Sequence, residues 1–319
     1  MKRPFPENLL ESHASRVLFI THKIKNFGHE LARAYTQGSY DELISRLRDY
    51  YGELPTYAYE EPSIDPSYYA PRTVLAALIA ERIALRYKGF WKHITVAIIG
   101  VGGSGKTTYS ILSGIGALML WGKSFSEAVK IASMLTFFQP KPFLETVKAL
   151  LEERKWVPFV ILDDVGAQIS KYWVWLGELY WSYFFSVLDQ LKDWCGTLIL
   201  TARSERSIPA RMREIVDIVI QASETEVGGY IVDLMRFYRR DDYERRKTRI
   251  PIYVDGLIPT LKMPNELWEA MTEARRETGM RRVSMTLEMI EIQGELERMK
   301  LEKLKERLEK GERRKAENA

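Results

Sequence analysis

Apolar residues in the middle of the chain fall into two alternating rhythms. Unbroken β-prone runs occur at Val96-Ala-Ile-Ile99, Trp156-Val-Pro-Phe-Val-Ile-Leu162, Thr197-Leu-Ile-Leu-Thr201 and Ile215-Val-Asp-Ile-Val-Ile220. Between them, apolar positions recur every three or four residues over Thr73–Tyr87, Thr107–Trp121, a segment capped by Ser124 or Ser126 and ending near Ser133, Phe143–Arg154, and about Gly177–Trp194. The first rhythm is that of strands buried on both faces, the second that of amphipathic helices. Met134-Leu-Thr-Phe-Phe138 adds a short strand before Pro140 and Pro142 break the chain. Strand alternating with helix predicts an α/β fold built on a doubly wound parallel sheet, with ligands at the carboxyl ends of its strands.

The flanks read differently. Glu7–Tyr51 predicts two or three helices, the last with a stripe of Leu43, Ile44, Leu47, Tyr50 and Tyr51. Leu54–Pro71, rich in proline and tyrosine and without periodicity, reads as a linker. After Gln221, Gly229–Arg240 and Arg249–Lys262 look extended and are joined by the charged turn Arg239–Lys247. A helix is expected from Pro264 to Thr278. A charge-laced helix follows from Ser284, its apolar series (Met289, Ile292, Leu296, Met299, Leu304, Leu308) not holding a heptad, with fraying expected from Gly311. The expected division is a helical N-terminal extension and linker over 1–70, an α/β core over 71–222, a β-containing appendage over 223–283 and a charged helical tail over 284–319.

Composition changes this picture little. A net charge of +4 permits polyanion binding without requiring it. The single cysteine, Cys195, excludes a disulfide framework and fits a reducing cytoplasm. His13, His22, His29 and His93 show no metal-ligand spacing. The most lipid-like run, Tyr172–Leu188, carries Glu178 and is short for a span, so a buried core helix is expected there and no membrane contact.

Candidate chemistry concentrates where the first strand ends. Gly100-x-x-x-x-Gly105-Lys106-Thr107 follows a strand and opens a helix, the context of a Walker A loop. Gly100, Gly102, Gly103 and Gly105 let the backbone fold tightly and, with Ser104 and Thr108, aim N–H groups at phosphate oxygens. The helix N-terminus adds partial positive charge at the same point. Lys106 would reach the β- and γ-phosphates of ATP, and the Thr107 hydroxyl would ligate Mg²⁺. A second strand ends in Asp163-Asp164: the first carboxylate is suited to hold Mg²⁺, the second to polarise an attacking water.

Gly100-x4-Gly-Lys-Thr107, Val160-Ile-Leu-Asp-Asp-Val-Gly166 and Leu198-Ile-Leu-Thr201 together resemble the AAA+/ASCE P-loop ATPases. The Asp-Asp-x-Gly form is most similar to the DnaC/IstB helicase-loader branch and to ATPases of archaeal viruses and plasmids. The resemblance covers roughly Thr73 to Ala222. It implies that Asp163 is the Mg²⁺ carboxylate, Asp164 the catalytic one, and Thr201 a sensor facing the γ-phosphate or attacking water. Where the family often carries an Asn slightly further along, this chain has Arg203. Arg203–Arg213 resembles the segment that carries an arginine finger to a neighbouring subunit. Arg206, Arg211 and Arg213 are the candidates, and spacing does not choose among them. The family's helical lid has no clear counterpart.

The resemblance implies an oligomeric ATPase coupling hydrolysis to remodelling or loading of a DNA-bound complex in replication of a mobile element or virus. A DNA packaging or translocation motor and a nucleotide-gated interaction switch with slow hydrolysis remain alternatives. Arg236-Phe-Tyr-Arg-Arg240 and Arg245-Arg-Lys-Thr-Arg249 mix cations with aromatics, a candidate nucleic-acid surface or a solvated hairpin. The C-terminal helix, alternating Lys/Arg with Glu, suits a soluble exposed helix or a partner surface better than DNA binding.

Overall fold

The computed structural model describes residues 7–51, 66–166, 177–227, 230–244, 250–257 and 265–317. The chain divides into two compact units, Met1–Trp268 and Glu269–Ala319.

In the first unit, helix α1 (Glu7–Thr36) buries Ala14, Val17, Thr21, Ile24 and Leu31, a stripe at three- and four-residue intervals. Gly28 lies on that stripe, where a Cβ would stand 2.6 Å from Val74 Cγ2, so the absence of a side chain lets α1 approach closely. Helix α2 (Tyr40–Tyr51) buries Leu43, Ile44 and Leu47, as the pattern predicts. Past a short helical turn, α3 (Pro66–Tyr69), comes α4 (Val74–Tyr87), which packs against α1. Its N-cap Thr73 accepts a hydrogen bond from Ala76 N at 3.0 Å. The part of the expected linker over 52–65 lies outside the described residues.

Among the described residues the sheet has seven strands: β1 (Ile94–Ile99), β2 (Thr136–Phe137), β3 (Val157–Leu162), β4 (Cys195–Ala202), β5 (Ile218–Val227), β6 (Tyr230–Arg239) and β7 (Tyr253–Leu257). Their order is β2-β3-β4-β1-β5-β6-β7. The first five are parallel, with α5 (Lys106–Leu120), α6 (Phe125–Met134), α7 (Pro140–Glu152) and α8 (Gly177–Gln190) in the connections. Ser124 caps α6 in a reciprocal box with Glu127. β6 and β7, in the segment expected as a β-containing appendage, extend the same sheet antiparallel. Val227 pairs with Tyr230, and a two-residue connection can close only an antiparallel pair; a parallel crossover needs a dozen residues or more. The expected strand at Ile215–Ile220 begins at Ile218 and runs on to Val227. The segment read as a charged turn after β6 opens with a short helix at Arg240–Glu244.

The two helices expected after Pro264 are one, Asn265–Glu317, which passes through Gly279 and Gly294 and continues beyond Gly311. From Glu269 on, the second unit is this helix, with Met280, Val283, Leu287 and Ile290 exposed along it. Of the lipid-like run, residues 172–176 lie outside the described residues. Among the described residues no helix is long and apolar enough to cross a membrane.

Candidate nucleotide site

β1 ends at Ile99, and Gly100 N donates to Ala202 O at 3.3 Å, so the glycine loop begins seated on the end of β4. A Cβ at Gly100 would stand 2.5 Å from Ala222 O and 2.7 Å from Ser104 Oγ, so only glycine fits between loop and β5. Gly103 (φ 86°) and Gly105 (φ 68°) occupy the left-handed region, and Gly105 is the N-cap of α5. The Val101 carbonyl gathers the loop: it accepts from Ser104 N at 3.4 Å, Ser104 Oγ at 2.9 Å and Lys106 Nζ at 2.6 Å. Gly102 and Gly103 have open space where a Cβ would be. The result is a cradle of backbone N–H groups at a helix N-terminus, with a lysine folded across it.

Strand register brings the carboxylates to this cradle. Leu162 of β3 is level with Leu200 of β4, which is level with Ala97 of β1, so Asp163 emerges beside Thr201 at the carboxyl end of the sheet. Thr107 Oγ1, in the first turn of α5, donates to Asp163 Oδ1 at 2.7 Å. Thr201 Oγ1 donates to the same oxygen at 2.7 Å and accepts from Asp164 N at 2.8 Å. Asp163 and Thr201 are 2% and 1% exposed. Asp164 stands at φ 48°, a left-handed conformation that an Asp tolerates better than most residues. The Thr201 hydroxyl, read from sequence as a group facing phosphate or water, thus has its proton committed to Asp163.

Gly166 closes the Asp163-Asp-Val-Gly turn against the loop that follows β4. A Cβ there would stand 2.6 Å from Ser207 Cβ and 2.7 Å from Ser207 O. This contact sets the Ser204–Ser207 turn, and with it exposed Arg206, beside the carboxylate turn. Arg211 and Arg213 lie further on, in the short helix Ala210–Glu214. The Arg211 guanidinium sits 5.9 Å from the Phe185 ring centroid, lining a surface cavity with Leu188, Asp189 and Glu214. Arg213 is half-buried, with Nε lacking a hydrogen-bond partner among the described residues. The three arginines therefore do not form one group.

A hydroxyl and a buried carboxylate sharing a hydrogen bond beside the glycine loop suit Mg²⁺, which takes few protein ligands and completes its shell with phosphate and water. Among the described residues no cluster of three His, Cys, Asp or Glu side chains suited to a metal occurs.

The aromatic-basic run at 236–240 is not the stacking surface its sequence suggests. Phe237 and Tyr238 are buried because β6 lies between β5 and β7. Arg236 donates to Tyr35 Oη at 2.7 Å and Ser223 Oγ at 3.1 Å, tying β6 to α1 and β5. Arg240 donates to Glu214 O. Arg245–Arg249 lies outside the described residues.

One carboxylate escaped the sequence reading. Asp255 of β7 is buried, its Oδ2 accepting from Val74 N at 2.7 Å and Tyr109 Oη at 2.8 Å, and its Oδ1 from Gly256 N at 3.1 Å. It therefore joins the last strand to the starts of α4 and α5. Burial, reinforced by the neighbouring carboxylate, pushes the Tyr109 hydroxyl well above the usual tyrosine range. The only hint in the sequence is a lone acid inside the apolar stretch Ile252–Leu257.

A strand, glycine loop and helix, with a buried carboxylate one strand removed in a mostly parallel sheet, are compatible with a P-loop NTPase core. No protein-family profile matches the chain. A 117-residue stretch, 37% of this chain, is 26% identical to Uncharacterized protein B-251 of Sulfolobus spindle-shape virus 1; the match spans 46% of that viral protein, under half its length. Among solved structures, the flagellar accessory protein FlaH from Methanocaldococcus jannaschii aligns over 47% of this chain and 80% of its own, at 13% identity and a TM-score of 0.28.

Proposed function

We propose that this chain binds ATP with Mg²⁺ and hydrolyses it, coupling hydrolysis to remodelling or loading on DNA as a homo-oligomer. The observation that carries the hydrolytic part is the sharing of Asp163 Oδ1 by Thr107 and Thr201 beside the glycine cradle. Lys106 would exchange the Val101 carbonyl for β- and γ-phosphate oxygens. Thr107 and Asp163 would hold Mg²⁺, which when bound neutralises charge on the transferred phosphoryl group. Thr201 fastens the Asp164 backbone, and so orients that carboxylate to accept a proton from the attacking water. Arg206, beside the Gly166 turn, is the arginine best situated to act on a nucleotide, its own or a neighbour's. The DNA-linked part is supported by the resemblance of Asp163-Asp-x-Gly166 to helicase-loader ATPases. Steady-state ATPase assays with and without single- and double-stranded DNA, beside Lys106→Ala and Asp164→Asn, test both parts. Stimulation by DNA that both substitutions abolish supports the proposal. No hydrolysis by the parent chain defeats it, and hydrolysis indifferent to DNA leaves the nucleotide-gated switch as the better reading.

A further inference from the structure

At the amino end of β1, a six-residue strand about 20 Å long, lies a surface that the nucleotide site does not use. Tyr87, Phe90 and Trp91 are 54%, 56% and 63% exposed within five residues of one another. Concentrated aromatic exposure of this kind marks an interaction surface rather than ordinary solvent-facing sequence. Cations interleave with the rings: Arg86, Lys88 and Lys92, with Arg82 one turn earlier, and no carboxylate between Arg82 and Thr95. Glu81, the nearest acid in sequence, is paired with Lys25 at 2.9 Å, and Asp217, brought to the start of β1 by the fold, accepts from Thr95 N at 2.8 Å.

The surface is held rigid. Lys88 N, Gly89 N and Phe90 N bond back to Ala84, Arg86 and Leu85 carbonyls at 2.9–3.1 Å, and Gly89 turns the chain at φ 85°. The Arg86 guanidinium lies 3.0 Å from the Trp91 ring centroid and 6.0 Å from that of Trp156, while Tyr87 stacks on Trp121 at 4.6 Å. Below the turn, His93 is anchored to Cys195 O at 2.8 Å and Thr95 Oγ1 at 3.0 Å.

We propose that the Arg86–Lys92 turn binds a single-stranded nucleic acid, with bases stacking on Phe90 and Trp91 and phosphates held by Arg86, Lys88 and Lys92. Alternating cations and rings match a polymer that alternates phosphates with exposed π-faces. A duplex hides those faces. A membrane-inserting wedge needs an uncharged apolar face to enter the acyl boundary, and here Lys88 and Lys92 bracket Phe90 and Trp91 while Arg86 lies over the Trp91 ring. This gives the DNA-coupled reading above a binding face, but it is tested without hydrolysis, so the two fail separately.

The experiment is fluorescence anisotropy of a labelled oligothymidylate with the full chain, beside a labelled duplex and phosphatidylserine vesicles. The single strand should bind in preference to both. Trp91→Ala and Phe90→Ala should each weaken binding at least about fivefold, the loss of one stacked base, without lowering Tm, because both rings are exposed. Lys88→Gln combined with Lys92→Gln should flatten the dependence of log affinity on log salt by about 1.4, two phosphate contacts on a single strand. Lys106→Ala should bind the strand as the parent does. Absence of strand binding, equal binding by all variants, or preference for the vesicles or the duplex would overturn the proposal.

Discussion

Thr107 and Thr201 both donate to Asp163 Oδ1, each at 2.7 Å, one from the first turn of α5 and the other from the end of β4. Thr201 alone also holds the Asp164 backbone, through an N–H bond of 2.8 Å. The two carboxylates of the strand end are therefore positioned by one hydroxyl. Thr201→Val keeps the shape and removes that hydroxyl. Small misplacements of a catalytic group cost on the order of 100-fold in rate, so kcat for ATP should fall by roughly that factor with KM changed little. Thr201→Ser should restore most of it. Steady-state kinetics on the three proteins decide; an unchanged kcat in Thr201→Val removes the hydroxyl from the account.

Two glycines of the site should respond oppositely to the same change. In Gly166→Ala the new methyl meets Ser207 Cβ at 2.6 Å and the Ser207 backbone O at 2.7 Å, and the backbone cannot yield cheaply. A loss of about 1–3 kcal/mol on urea denaturation is expected. Gly102→Ala meets nothing within 4 Å, so stability should hold while the methyl enters the phosphate cradle and nucleotide affinity falls. Urea midpoints together with nucleotide titrations check both halves.

Asp255 accepts three hydrogen bonds, two on Oδ2 and one on Oδ1, from Val74 N, Tyr109 Oη and Gly256 N. In Asp255→Asn either orientation of the amide sets its NH₂ against a backbone N–H that cannot reverse its role. A loss of about 1–3 kcal/mol is expected, the cost of unsatisfied buried donors, and equilibrium unfolding measures it. A variant as stable as the parent would show that this carboxylate is dispensable.

How much of this was legible depends on the range over which each feature is determined. The glycine loop and Lys106 are local: a few consecutive residues dictate strand, tight turn and helix start. Asp163 was legible as the end of an apolar strand, and register then carries it to Thr107 across β4. The aromatic run at 236–240 misled because its burial follows from β7 covering β6, a pairing that neither strand announces. Asp255 meets Tyr109 across 146 residues, and no periodicity encodes such a contact. The Arg86–Lys92 turn carries no motif, and its character comes from the exposure of Tyr87, Phe90 and Trp91, which residue order alone does not give. Arg206 separates from Arg211 and Arg213 only through the contact between Gly166 and Ser207, which spacing cannot contain.

His93 should make stability depend on pH on the acid side. Burial lowers its pKa below the ordinary 6.5, outweighing the Cys195 carbonyl that favours the proton, with the Asp217 charge opposing and Arg82 and Lys192 assisting. The neutral ring fits its surroundings, one nitrogen donating to Cys195 O and the other accepting from Thr95 Oγ1. Below 6.5 the unfolded chain takes up a proton here that the folded chain resists. The unfolded state then binds more protons, and stability rises with pH. The contribution is complete above 6.5 and is lost as pH falls toward the depressed folded value. His93→Ala should be less stable than the parent at about pH 8, and the gap should narrow toward about pH 5, where the parent no longer benefits from a neutral ring. Urea midpoints of both proteins across that range isolate the effect from the carboxylates they share. A gap constant with pH would mean that His93 titrates alike in the folded and unfolded chain.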